Sequence, residues 1–172
     1  LGALACSDAG GPAAPPEGTA SDVMGDGGTA DLVGIHVVVE GDSIVFRADF
    51  APGDVGLGNI RAVIELDVNG PGIGDPGTDP LSGRDYTVVV FENAGQPTLY
   101  AYSGGQWLGQ GQAGRTVVLT NQLMAKIPLS SLGGDDGRLR LKIGSAFYES
   151  GCSCYASQDW LTDPGVSPVN VQ

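Results

Sequence analysis

The residues best suited to chemistry crowd into ELDVNGPGIGDPGTDPLSGRDY, residues 65–86. Glu65, Asp67 and Asn69 alternate along a strand-like run and so share a face. Asp75, Asp79 and Asp85 follow in a Gly/Pro loop. Calcium takes about six to eight oxygen ligands from carboxylates, amides and carbonyls, which makes these residues the candidate calcium loop. The stretch lacks the spacing of an EF-hand, and a solvated turn uses the same Asp, Asn and Gly letters. A sparser group, Asp22, Asp26, Asp31, Asp159 and Asp163, matters only if the two ends of the chain meet.

Tyr100, Tyr102, Trp107 and Trp160 are the candidate carbohydrate platform. An exposed aromatic ring offers a flat apolar face that a sugar can cover. That use predicts coplanar, exposed rings at Tyr100, Tyr102 and Trp107. With four Phe, five Tyr and two Trp in the chain, burial in the core competes for the same side chains. Haem ligation would fall to the single histidine, His36, with Met24 or Met124, but a lone His on an outer strand face is more often plain surface. No nucleophile elbow, HExxH or phosphate loop is present, and no spacing selects a carboxylate pair for glycoside hydrolysis. A non-catalytic protein without an organic cofactor is expected. Arg138, Arg140 and Lys142 form a basic stripe. It is either a solvated strand face or a charge-steered contact for an acidic partner.

The chain as a whole is acidic: 20 Asp and Glu against 8 Lys and Arg give a net charge of -12 over 172 residues. Such a field repels phosphate backbones, which argues against nucleic acid as a partner, and attracts divalent cations or basic proteins. No apolar run approaches the roughly 20 residues that cross a bilayer as a helix. The opening LGALAC resembles a lipoprotein processing site, with small Ala5 before Cys6 as the lipid acceptor. An Ala-rich segment with an unrelated thiol uses the same letters. The first reading predicts a membrane-anchored, extracytoplasmic protein, in the periplasm or on the cell surface. There Cys152 and Cys154 form a tight disulfide or stay as thiols, or one of them bonds Cys6 if that residue is not acylated, and the pair lacks the further ligands of a metal site.

The elements that must position these groups are strands. Residues 7–30 carry almost no core-forming side chains and read as a tether, so 1–30 is assigned to an N-terminal tail and 31–172 to one domain. From Asp31 the pattern alternates with period two. LVGIHVVVE and SIVFRADF flank a turn at Gly41-Asp42, and NIRAVIELDV points Ile60, Ala62, Ile64, Leu66 and Val68 inward. After the acidic loop come YTVVVFE, a hairpin of TLYAYS and QWLGQ, and a second hairpin of RTVVLT and LMAKIPL turning at Asn121-Gln122. SSLGGDDG is one helical turn and a loop, RLRLKIGSAFY is a strand, and the remainder is mostly irregular. The 29 glycines and 11 prolines suit many turns. The expected fold is an all-β antiparallel sandwich of about eight or nine strands.

Five segments in order carry a resemblance: DLVGIHVVVEGDSIVFRADF, IELDVNGPG with GTDPLSGRDY, LYAYSGGQW, IPLSSLGGDDGRLRLKI and DWLTDPG. Over roughly residues 31–165 the chain resembles the secreted bacterial β-sandwich domains grouped with DOMON-like and family 9 carbohydrate-binding modules. The resemblance implies a jelly-roll-like sandwich that binds sugars, haem or other proteins, usually without catalysis, and whose loops calcium often props. The loop departs from the family's D-x-D-x-N-P pattern, with Asp67-Val68-Asn69-Gly70 and a longer Gly/Pro insertion. Two functions follow as expectations. The first is an extrinsic accessory subunit docked on a larger membrane protein assembly, such as an energy-converting complex. The second is a calcium-supported carbohydrate-binding module of the cell envelope, with a glycan as partner.

Overall fold

The computed structural model describes residues 14–22, 24–25, 30–56, 58–68, 85–149, 154–161 and 168–172, with the backbone alone at 149 and 154–158. Twelve strands lie among the described residues: β1 (Glu17–Ser21), β2 (Leu32–Glu40), β3 (Ser43–Phe50), β4 (Ile60–Asp67), β5 (Tyr86–Phe91), β6 (Thr98–Ser103), β7 (Gln106–Gln112), β8 (Arg115–Leu119), β9 (Gln122–Pro128), β10 (Leu139–Glu149), β11 (Cys154–Trp160) and β12 (Val169–Val171). They form two antiparallel sheets. One has the order β1-β2-β3-β9-β8, and the other runs β11-β10-β4-β5-β6-β7 with β12 also paired to β10.

Alternation sets which side chains meet between the sheets. Ile44, Phe46 and Ala48 of β3, with Leu123, Ala125 and Ile127 of β9, belong to one buried cluster with Ile60, Ala62, Ile64 and Leu66 of β4. Leu139, Leu141 and Ile143 of β10 complete it. Each fully buried aliphatic side chain contributes about 1.5–3 kcal/mol, so this layer is what holds the sheets together. Ser145 Oγ donates to the carbonyl of Ala30, which gives this inward polar residue of β10 a partner.

The sandwich expected from the sequence is present, with three more strands than the nine read there. β1 lies in the stretch read as a tether. It pairs with β2 from Glu17↔Val38 to Ser21↔Gly34. Glu17 N also donates to Gln172 O at 3.1 Å, and Gln172 N to Glu17 O at 3.2 Å, which joins the two sheets along that edge. Backbone ladders need no apolar side chains, which is why EGTAS gave no composition signal. Gly18 is required there, since a Cβ would sit 2.5 Å from the Asn170 carbonyl oxygen. β11 and β12 fall in the segment read as irregular. β11 lacks alternation, and β12 is three residues long.

The turn before β9 also shifts by one residue. Asn121 takes φ 57°, a left-handed conformation that asparagine tolerates, and Gln122 already opens β9. The expected helical turn is a 3-10 turn at Leu129–Leu132, closed by Gly133 at φ 77°.

Candidate functional site: the outer face of the seven-stranded sheet

Because β4 and β10 turn their aliphatic residues inward, their alternate residues meet on the outer face of the larger sheet. The register puts Asp67 opposite Arg140, Glu65 opposite Lys142, Val63 opposite Gly144 and Arg61 opposite Ala146. On the other side of β4, Glu65 faces Thr87 and Val63 faces Val89. Thr87 faces Tyr100, and Tyr102 faces Trp107. Trp160 of β11 stands opposite Gly144. All four aromatic residues of the candidate platform thus share this face, three on β6 and β7 and one on β11.

The charges on this face are buried. Glu65 retains 9% of its exposure, Asp67 7% and Lys142 7%. Arg140 Nε donates to Asp67 Oδ2 at 3.0 Å, and Arg140 Nη2 donates to the same oxygen. The basic stripe read from the sequence is therefore not a uniformly solvated face. Arg140 is paired with Asp67, and Lys142 is buried opposite Glu65, while Arg138 remains outside, 3.5 Å from Asp136. Charged side chains are seldom buried this far without a partner or a use.

Between the aromatic strands and β4 lies a groove of about 380 Å³ lined by Arg61, Val63, Glu65, Thr87, Val89, Tyr100 and Trp107. Val63 and Val89 give it an apolar part, Arg61 and Glu65 bring charge, and Tyr100 and Trp107 supply an aromatic wall. The rings are not the coplanar, exposed strip that sugar binding predicted. Tyr102 and Trp107 pack with centroids 5.0 Å apart and planes tilted by 56°, a geometry that aromatic pairs prefer. Tyr100, Tyr102, Trp107 and Trp160 are all half-buried. The arrangement suits a ligand lying in a groove better than one lying on a flat strip.

The acidic loop is described only at its ends. Asn69, Asp75 and Asp79 lie outside the described residues. Asp67 holds Arg140, and Asp85 Oδ2 accepts the Val68 N–H at 2.9 Å. Two of the six candidate calcium ligands thus already serve protein groups, and no cluster of three His, Cys, Asp or Glu suited to a metal occurs among the described residues. Beside this end of the sheet, a second cleft of about 300 Å³ is lined by residues including Asp85, Tyr86, Tyr102, Leu132 and Asp135. Burial pushes the Asp135 carboxyl above its ordinary range. The Gly137 N–H opposes that shift, and the nearby charges of Asp136 and Asp85 add to it.

The two ends of the domain do meet. Leu32 N donates to Asp159 Oδ2 at 2.7 Å, Gly25 N to Asp31 Oδ2 at 2.7 Å, and Asp31 N to Asp54 Oδ2 at 3.0 Å. These carboxylates cap backbone N–H groups, while Asp26 and Asp163 lie outside the described residues. His36 and Met124 stand on opposite sides of Arg47, on the outer face of the smaller sheet, with the Arg47 strand between them. Cys6 and Cys152 fall outside the described residues, and Cys154 is described only as the first backbone position of β11.

Sequence reasoning missed Arg61, Thr87 and Val89 as groove residues and Lys142 as their buried neighbour. The signal lay in two matched patterns, R-x-V-x-E-x-D at 61–67 and R-x-K at 140–142, whose charges are complementary only once β4 and β10 are known to pair.

Comparison with known proteins adds no relative: no family model matches the chain, and a search of curated proteins found no match.

Proposed function

We propose that this protein is a non-catalytic binding module whose ligand is a carbohydrate, held in the groove on the outer face of the seven-stranded sheet. The observation that carries the reading is the grouping on one face of Tyr100 and Trp107, the apolar side chains of Val63 and Val89, and the hydrogen-bonding side chains of Arg61 and Glu65. A pyranose has apolar C–H faces and a rim of hydroxyls, so it needs this combination of aromatic wall and polar edge. The net charge of -12 favours a neutral sugar over an acidic one. A glycan array read with the wild-type chain and with Trp107→Ala tests the reading. Binding that the substitution abolishes supports it, and no binding to any neutral glycan defeats it.

The second reading, an extrinsic subunit docked on a larger membrane assembly, draws on a different region. Leu108, Val118 and Leu119 are exposed by 43%, 41% and 48% on β7 and β8, one edge strand of each sheet. Open edges with apolar side chains favour pairing with another chain. Co-purification from native membranes, with Leu108→Lys and Val118→Lys as variants, separates the two readings. Loss of a co-purifying assembly without loss of glycan binding would assign docking to this edge alone.

A further inference from the structure

We propose that the binding face takes an extended neutral glycan of more than two sugars, with Trp160 as a second stacking platform across the groove from Tyr100 and Trp107. This rests on the carbohydrate reading of the face, and its own observation lies at Gly144. A Cβ built on Gly144 would meet three atoms of the Trp160 indole, Cδ2, Cε3 and Cε2, at 2.8, 2.9 and 3.0 Å. Three neighbouring ring atoms at nearly one distance mean that the Cα–Cβ direction strikes the ring on its face, not on its edge. Side chains leave a sheet roughly perpendicular to it, so the indole lies flat over β10 with its second face turned away from the strand.

Gly144 does not sit at a positive φ, so its backbone does not demand glycine. What the position uses is the missing side chain, since glycine inside a strand otherwise weakens it and marks a close approach. The residue seated there is half-buried, which leaves part of it accessible.

Trp160 is also well placed in the sheet. The order β6-β5-β4-β10-β11 separates it from Tyr100 by four inter-strand steps, or about 19 Å, far more than one sugar ring spans. Between the two platforms lie Thr87, Glu65 and Lys142 in one cross-strand row, with Arg61 on β4 beside them. Of these, Thr87, Glu65 and Arg61 line the groove and can hydrogen-bond hydroxyls along a chain crossing the strands, while Lys142 stays buried. A single sugar would use the Tyr100–Trp107 wall and leave Trp160 uncovered.

The test is calorimetric titration of the full chain with ladders of neutral β-1,4-linked gluco-, xylo- and manno-oligosaccharides, from monosaccharide to hexasaccharide. For the ladder that binds, affinity should rise at least about tenfold from disaccharide to pentasaccharide. Trp160→Ala should flatten that rise, so that the pentasaccharide binds no more tightly than the disaccharide. Gly144→Val, which displaces the indole, should do the same. Circular dichroism checks its fold, and Trp160→Ala carries the test if that variant unfolds. Glu40→Ala, on the opposite sheet, should leave the rise intact. Equal affinity for short and long chains, or a rise that survives Trp160→Ala, overturns this inference and spares the carbohydrate reading. Failure of all three ladders to bind overturns this inference, and the glycan array then decides the carbohydrate reading.

Discussion

The two outer faces of the sandwich arise from the same alternation and end in opposite states. On the five-stranded sheet, Glu40 lies 3.3 Å from both Arg47 and Lys126, and the three side chains keep 45%, 37% and 46% of their exposure. On the seven-stranded sheet, the Asp67 and Arg140 side chains keep 10% and 24%, with Glu65 and Lys142 buried beside them. Exposed pairs contribute about 0–1 kcal/mol. Burying an ion costs several kcal/mol, and well-packed apolar residues often stabilise a fold as well or better. The first face is explained by solubility. The second keeps buried charge beside four aromatics, an arrangement suited to holding a ligand.

The largest effect expected from this contrast is on stability. Asp67→Ala removes the carboxylate that accepts from Arg140 and should cost roughly 3 kcal/mol in urea unfolding, because one member of a buried pair is removed. A loss below about 1 kcal/mol would put the two faces on the same footing. Next comes binding. Trp107→Ala should weaken the bound glycan at least about tenfold, or 1.4 kcal/mol, with little change in melting temperature, since the ring is half-buried and outside the core. A variant that melts early but binds normally would make Trp107 a packing residue.

Glu40→Ala should change stability by less than about 1 kcal/mol, despite removing two ion-pair contacts at once, and should not touch binding. The smallest effect concerns Asp135. Its raised pKa means that the folded state holds the proton more tightly than the unfolded state does. Its contribution is therefore most favourable at low pH and declines as pH rises from the ordinary carboxyl value of 3.8 through the raised one. Asp135→Asn should flatten that part of the stability profile. A slope that persists unchanged would assign it to other carboxylates.

Much of this contrast was legible in the letters. Ile60, Ala62, Ile64 and Leu66 alternate with Arg61, Val63, Glu65 and Asp67, and that alone separates core from outer face. The four aromatics were legible as a group, though not their tilt, because ring geometry depends on the Tyr102–Trp107 pairing across β6 and β7. Burial of Glu65 and Lys142 was not legible, since it depends on which strands become neighbours, and β4 and β10 lie far apart in sequence. β1 and β12 escaped notice for a related reason. Their pairing is carried by backbone groups, as in the two Glu17–Gln172 hydrogen bonds, which every non-proline residue offers alike.

The most direct test uses the fact that the chain has only two tryptophans, Trp107 and Trp160, both on the outer face of the seven-stranded sheet. A proton–nitrogen correlation spectrum should therefore show two indole N–H peaks, and they can be followed as a binding oligosaccharide is added. The account predicts that both peaks move and saturate together, while the backbone amides of β2 and β3 stay in place. Saturable binding that leaves both indole peaks unmoved, or that shifts the β2 and β3 amides instead, would contradict it.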